Sequence, residues 1–359
     1  MGTFDLLSSG QTLFSNSDAL DLDFVPKLLP HRENQQKYIA TAIQPLIAGR
    51  SGKNLLIRGA SGIGKTAATK RVLIDLDDAD IQANISWIFI NCWKCDSTFK
   101  VAEEIAHQLG FKFTHNMNTP EIISKIREIS AKKDGIVFAF DEVDKISDTD
   151  FLYLILEEIK KKTILLITND LSWGEALDQR IKSRLAPEVL EFPEYNGEEI
   201  FDILKVRRTY AFYEGVWAED AFKLIVEKAS QYSDVRVGVI LLKTAGEIAE
   251  AAGSKKVKLE HAQKAIANTD AFKIKSSSDL IDDEKFILNL VRENSGKTTG
   301  ELFEIYLKAG GDKSMKTFTR HLQKLATKKY ISMEITTEGF QGKSSVIKYV
   351  GFEKKLNDF

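Results

Sequence analysis

The stretch RGASGIGKTAATK, residues 58–70, carries the spacing G-x-x-x-x-G-K-T through Gly59, Gly64, Lys65 and Thr66. It follows the apolar run NLLIR and precedes TAATKRVLIDL, so a strand leads in and a helix leads out, the context a phosphate-binding loop requires. A third glycine, Gly62, lets main-chain N–H groups turn inward without steric cost. From Gly59 through Ala60, Ser61, Gly62, Ile63 and Gly64 to Lys65, Thr66 and Ala67, the loop and first helical turn would offer those donors to the phosphates of ATP or ADP. Lys65 would reach the β and γ phosphates, and the Thr66 hydroxyl would ligate Mg2+. The bland alternative is a glycine-rich turn that fits by chance, and it leaves the flanking strand and helix unexplained.

Outward from the loop, four more short apolar runs follow: SWIFINC, GIVFAFDE, KTILLITN and EVLEF. Amphipathic segments such as TFKVAEEIAHQLG and TPEIISKIREISAKKDG separate most of them, which predicts a βα alternation and a parallel sheet buried on both faces. The run GIVFAFDE delivers Asp141 and Glu142 to its C-terminal end, where open α/β sheets bind ligands. There Asp141 would hold Mg2+ and Glu142 would polarise an attacking water. Asn169, at the end of the run KTILLITN, would contact that water or the γ phosphate. Taken singly, these residues also suit a solvated acidic loop and an ordinary turn.

The strand runs stop after Phe192 and four helical patterns fill residues 196–268. We therefore expect a polar, flexible lead-in over 1–24, an α/β nucleotide-binding domain over 25–195, a helical lid over 196–277 and a last domain over 278–359, with the junction at KIKSSSD. Three helical stretches and a two-stranded turn in the last domain predict a winged helix. The whole chain of 359 residues has a net charge of −2, yet residues 313–348 hold eight basic side chains against two acidic ones, an excess of six. In SMKTFTRHLQKLATKKYI, Phe318, Leu322 and Leu325 share one helical face. Lys316, Thr317, Thr319, Arg320, Gln323 and Lys324 fall mainly on the others, suited to the DNA major groove, and Gln341 and Lys343 mark the tip of the wing. A solvated basic face, or a protein-binding winged helix, is the alternative.

Together GASGIGKT, FDEVDK, LLITND and DQRIKSRL resemble an AAA+ ATPase core, and the resemblance from about Phe24 onward is to the archaeal origin-recognition and replication-initiator family of the Orc/Cdc type. That resemblance implies a P-loop AAA+ core with an all-helical lid and a C-terminal winged helix. It implies that FVPKLLPHRE covers adenine, and that Tyr195, Arg207 and the sensor-2 arginine Arg236 contact ATP. It makes Arg184 the arginine finger, which would need a neighbouring subunit to act on, with an ordinary surface arginine as the alternative, and it puts Thr98, Phe99 and Lys100 at the tip of a DNA-contacting helical insertion, where an ordinary amphipathic helix fits as well. The sensor-2 segment departs from the family pattern, opening with Ser233 and carrying Val237 and Gly238.

The expected activity is that of a weak ATPase acting as a nucleotide switch: an initiator that binds double-stranded origin DNA and recruits the replicative helicase, alongside initiator paralogues. The alternative is a DNA-bound regulator whose nucleotide is structural. No run approaches the roughly 20 apolar residues that span a bilayer and no signal peptide is visible, so we expect a cytoplasmic, nucleoid-associated protein without a membrane partner. Cys92 and Cys95 lack the second ligand pair a zinc site needs, and read as packing.

Overall fold

The structure, a computed structural model, describes residues 12–79, 81–146, 148–277, 282–311, 313–327, 331–336 and 344–349. The chain forms two compact units that divide between Ala262 and Gln263.

After a short 3-10 turn at Ser17–Leu20, the first unit has α1 (Glu33–Ile47), then β1 (Leu55–Arg58) and α2 (Lys65–Asp78), the strand, loop and helix anticipated around the glycines. β2 (Ile85–Asn91), α3 (Thr98–Gln108), α4 (Thr119–Ser130) and β3 (Gly135–Asp141) follow. Then come α5 (Asp150–Glu158), β4 (Lys162–Thr168), the short α6 (Trp173–Ala176), α7 (Gln179–Leu185) and β5 (Glu188–Glu191). All five apolar runs are strands of one parallel sheet in the order β2-β3-β4-β1-β5. Every residue of β3 is buried, which is why its sequence is a continuous apolar run rather than an alternation. Phe138 and Phe140 pack beneath the helices with Phe151, whose ring meets Phe140 edge-on at 4.8 Å.

β2 lies at the sheet edge and is only half-buried. There the Gln108 amide stands in for a neighbouring strand: its Oε1 accepts from the Phe89 N–H at 3.1 Å and its Nε2 donates to the Phe89 carbonyl at 3.0 Å.

Four helices follow β5: α8 (Gly197–Ala211), α9 (Glu219–Gln231), α10 (Val235–Ala251) and α11 (Leu259–Ser277), the last of which begins in the first unit and runs on into the second. A reciprocal cap between Asn196 and Glu199, with both hydrogen bonds at 2.9 Å, starts α8 directly after the last strand. α11 runs through most of the expected junction KIKSSSD, since no Gly or Pro interrupts it and serine costs a helix little.

Residues 12–24, expected as a flexible lead-in, instead pack along α8 and α10. Leu13, Ala19 and Leu20 are buried, and the Phe14 ring lies 4.6 Å from that of Phe212. Asp21 pairs with Lys243 at 2.8 Å, and Glu250 accepts from the Leu13 N–H at 2.6 Å. A few apolar anchors outweigh the polar average of the segment.

The second unit contains α12 (Asp282–Glu293), β6 (Lys297–Thr298), α13 (Thr299–Lys308), α14 (Met315–Thr327), β7 (Ile331–Thr336) and β8 (Ser344–Tyr349). Helix, strand, two helices and two strands, with an antiparallel sheet ordered β6-β8-β7, is winged-helix topology. Phe318, Leu322 and Leu325 are fully buried against Tyr306 and Ile347, as the apolar face of α14 required.

Candidate functional site

The loop after β1 is shaped by what its neighbours leave no room for. A Cβ on Gly59, whose φ is +150°, would lie 2.5 Å from the Phe192 carbonyl oxygen. Lys65 is the first residue of α2 and is buried; its Nζ donates to the Gly59 and Ala60 carbonyls at 2.8 and 2.6 Å. Burial pushes its pKa down, and the nearby Asp141 charge opposes that shift. The ammonium is therefore held within the loop by main-chain oxygens that an incoming phosphate would replace.

Thr66 donates its hydroxyl to Asp141 Oδ2 at 2.9 Å, so loop and β3 meet through the two residues expected to hold a cation. Burial, the leading influence, raises the Asp141 pKa, and the Thr66 hydrogen bond works against it. Glu142 follows in a left-handed conformation, φ +53°, and borders the same cleft. Asn169 borders it too. With the amide assigned from its surroundings, its nitrogen donates to both Asp144 oxygens at 3.2 Å. Burial alone would raise the Asp144 carboxyl, but hydrogen bonds from Lys145 and Thr168 outweigh it and hold the pKa low. Asp144, absent from the sequence reading, thus orients the residue that was in it.

At the lid side, Arg236 enters the cleft from the first turn of α10. Its Nε lies 3.0 Å from Asp234 Oδ1 and its terminal nitrogen 2.7 Å from Asp234 Oδ2, and that same nitrogen donates to Ser61 Oγ at 3.2 Å. The Asp234 hydrogen bond raises the Arg236 pKa.

The far end of the cleft is apolar and is walled by Phe24, Val25, Leu29, Ile203 and Val239. Arg207 borders it, but its guanidinium is committed to main chain: it donates to the Ala19 and Phe24 carbonyls, each at 2.9 Å, and lies over the Phe24 ring. Burial lowers its pKa to about 10. Tyr195 is buried beside Gly64, whose Cβ would fall 2.9 Å from the Tyr195 hydroxyl.

Behind the loop is a residue the sequence did not flag. Arg32 is 2% exposed. It donates to the carbonyls of His31, Ile63 and Pro193 at 2.9, 3.1 and 2.7 Å, tying the segment before α1, the phosphate loop and the lid connection together.

Residues 201–267 match the family described as Cdc6 AAA+ ATPase-type lid domain, and residues 49–172 match an AAA domain. The ORC1-type DNA replication protein 1 of Sulfurisphaera tokodaii is 34% identical over 318 residues, 84% of this chain and 79% of that one. The chain belongs to the ORC1-type DNA replication protein family. Its Archaeoglobus fulgidus relative of the same description is 30% identical and covers 99% of this chain, with 92% of its own length matched. The structure of the Aeropyrum pernix ORC1 protein in complex with DNA superposes with a TM-score of 0.72 at 25% identity, over 96% of this chain and 95% of that one. The Aeropyrum pernix ORC2 protein, solved as ADPNP-ADP complexes, shares the fold at a TM-score of 0.68 and 18% identity, over 96% of each chain.

In this ORC1-type chain, Arg184 is not part of the cleft. It lies on α7, half-exposed, paired with Glu157 and 5.2 Å from the centre of the Tyr153 ring. The expected DNA-contacting tip divides. Phe99 and Lys100 are exposed, Lys100 pairing with Asp96, but Thr98 is buried and cannot be a tip residue. Its hydroxyl accepts from the Phe151 N–H at 3.0 Å and its own N–H donates to Asp148 at 3.2 Å, because as the first residue of α3 it faces α5.

On α14 of the ORC1-type protein, Lys316, Arg320, Gln323 and Lys324 are exposed and Thr317 and Thr319 half-buried. Thr319 donates its hydroxyl to the Met315 carbonyl at 2.9 Å. Gln341 and Lys343 lie outside the described residues. Cys92 is buried, with its thiol pushed by burial to about 12, in keeping with a packing role. Among the described residues no helix is long and apolar enough to cross a membrane.

Proposed function

We propose that this initiator binds ATP and ADP with Mg2+ between its α/β core and its lid, and that nucleotide state governs its engagement of double-stranded origin DNA. The observation that carries this reading is the Thr66–Asp141 contact at 2.9 Å beside the Lys65 ammonium. Two oxygens facing one cleft, beside the loop between Gly59 and Lys65, suit a hard cation that keeps its remaining sites for water and phosphate. When bound, the cation would neutralise charge on the β and γ phosphates. Lys65 would exchange carbonyl oxygens for phosphate oxygens, Asp141 would ionise fully, and Glu142 would orient a water for slow hydrolysis. Nucleotide complexes of the Aeropyrum pernix ORC2 protein support the cofactor.

The DNA reading rests on the exposed basic side of α14 and on the Aeropyrum pernix ORC1 complex with DNA. Helicase recruitment, pairing with paralogues and a cytoplasmic, nucleoid-associated location extend the same reading. A second reading, a DNA-bound regulator that retains a structural nucleotide, is favoured by the Asn169 amide being engaged with Asp144.

Lys65→Ala is expected to abolish ADP binding in calorimetry with the melting temperature little changed; undiminished affinity would refute the site. Hydrolysis measured with and without origin DNA, for wild type and Glu142→Gln, separates the two readings. If the winged helix neutralises about five phosphates, log K against log salt should fall with a slope near −4.5, and a flat response would remove DNA as its partner.

A further inference from the structure

The arginine expected at the γ phosphate is engaged elsewhere. Arg236 forms a two-point pair with Asp234, the residue that caps α10 by accepting from the Arg236 N–H at 2.9 Å. Asp234 in turn stands against the phosphate loop: a Cβ built on Gly62 would fall 2.3 Å from its Oδ1 and 2.7 Å from its Oδ2. One carboxylate therefore neutralises the guanidinium and puts negative charge at the wall where phosphate oxygens would enter. Ser61, on the same loop, holds the outer nitrogen of Arg236 at 3.2 Å, so the pair is fastened to both loop and lid.

We propose that Asp234 is a specificity residue of this cleft, setting the preference between nucleotides with and without a terminal phosphate by competing with that phosphate for Arg236. It rests on the nucleotide reading above and adds a residue to it. A diphosphate can occupy the loop while the Asp234–Arg236 pair stays closed. A triphosphate gains Arg236 only by opening the pair, and its anionic tail must also pass the Asp234 carboxylate. Part of the attraction of the terminal phosphate is thus spent on breaking an internal contact. Asp234 is about one-fifth exposed and Arg236 one-half, so the pair is of the partly solvated kind whose loss changes affinity by about five-fold rather than by orders of magnitude.

The test uses the full chain, freed of nucleotide, titrated calorimetrically with ADP and with ADPNP in Mg2+. Asp234→Asn and Asp234→Ser remove the charge and keep a good helix cap, so α10 should start as before. Both variants are expected to bind ADPNP about five-fold tighter than wild type, with ADP affinity moving less, and the gain should vanish when Arg236→Ala is added. Unchanged or weaker ADPNP binding in both variants, at unchanged melting temperature, overturns the proposal. So does an equal gain for ADP and ADPNP, which would mean general repulsion rather than competition for Arg236. Wild type that binds neither nucleotide overturns the underlying site reading, whereas wild type that binds both without a variant effect overturns the role of Asp234 alone.

Discussion

The Arg32 guanidinium lies 3.7 Å from the centre of the Tyr195 ring. Tyr195 borders the cleft and Arg32 is behind it, so a buried cation supports the aromatic wall from the far side while its nitrogens hold the outward carbonyl of Ile63. A phosphate loop that turns its N–H groups inward must turn carbonyls outward, and a buried carbonyl needs a donor. Arg32→Met would strand three carbonyls. We expect it to lower unfolding free energy by about 3 kcal/mol and to weaken ADP binding, with Arg32→Lys recovering part of each. Urea denaturation with and without ADP measures both; a variant as stable as wild type would show that the carbonyls find other partners.

Asp141 illustrates the cost of a site held ready. Its folded pKa is raised, so the buried carboxylate penalises folding at pH values above that raised pKa. The penalty declines as pH falls through the folded value, and is gone once the unfolded group, ordinarily at 3.8, is protonated as well. Asp141→Asn should therefore be more stable than wild type at neutral pH in the absence of nucleotide, the two converging in acid. It should also lose the Mg2+ dependence of ADP binding. Equal thermal midpoints at pH 7 would contradict the sign of this argument.

Arg207 ties the arm to the lid through Ala19 and Phe24. Releasing it in Arg207→Met should speed proteolysis within residues 12–24 by about ten-fold and weaken ADP, while inorganic tripolyphosphate, which needs no cover for a base, should bind as before. Equal weakening of both ligands would place the effect at the phosphate end.

Thr98 and Phe99 are neighbours with opposite expectations. Thr98→Val removes the acceptor of the buried Phe151 N–H and should cost about 1–3 kcal/mol in stability. Phe99→Ala, at an exposed ring, should leave the denaturation midpoint nearly unchanged and so isolates any contribution of this helix to DNA binding. Gel-shift titration after matched stability measurements is the check.

Much of this was legible in the residues. The strands announced themselves because a sheet covered on both faces leaves little place for polar side chains along β3 and β4, and the phosphate loop did so because few residue types tolerate its backbone. What stayed hidden shares one cause. Arg32 acts on main-chain oxygens at positions 31, 63 and 193, and main-chain acceptors leave no trace in side-chain sequence. The arm over residues 12–24 is anchored by Leu13, Phe14 and Leu20, too few and too irregularly spaced to show a period. β6 has two residues, below any pattern. Thr98 was legible as the start of a helix, but not which way it faces.

The Gln108 amide that occupies both main-chain groups of Phe89 has a bearing on assembly. An open strand edge is a template on which a second chain can lengthen the sheet, and here a single side chain from inside the molecule already fills that template midway along β2. At that edge, addition of a strand from another copy would first have to displace the amide, so the middle of β2 is protected from backbone pairing by a side chain of its own fold.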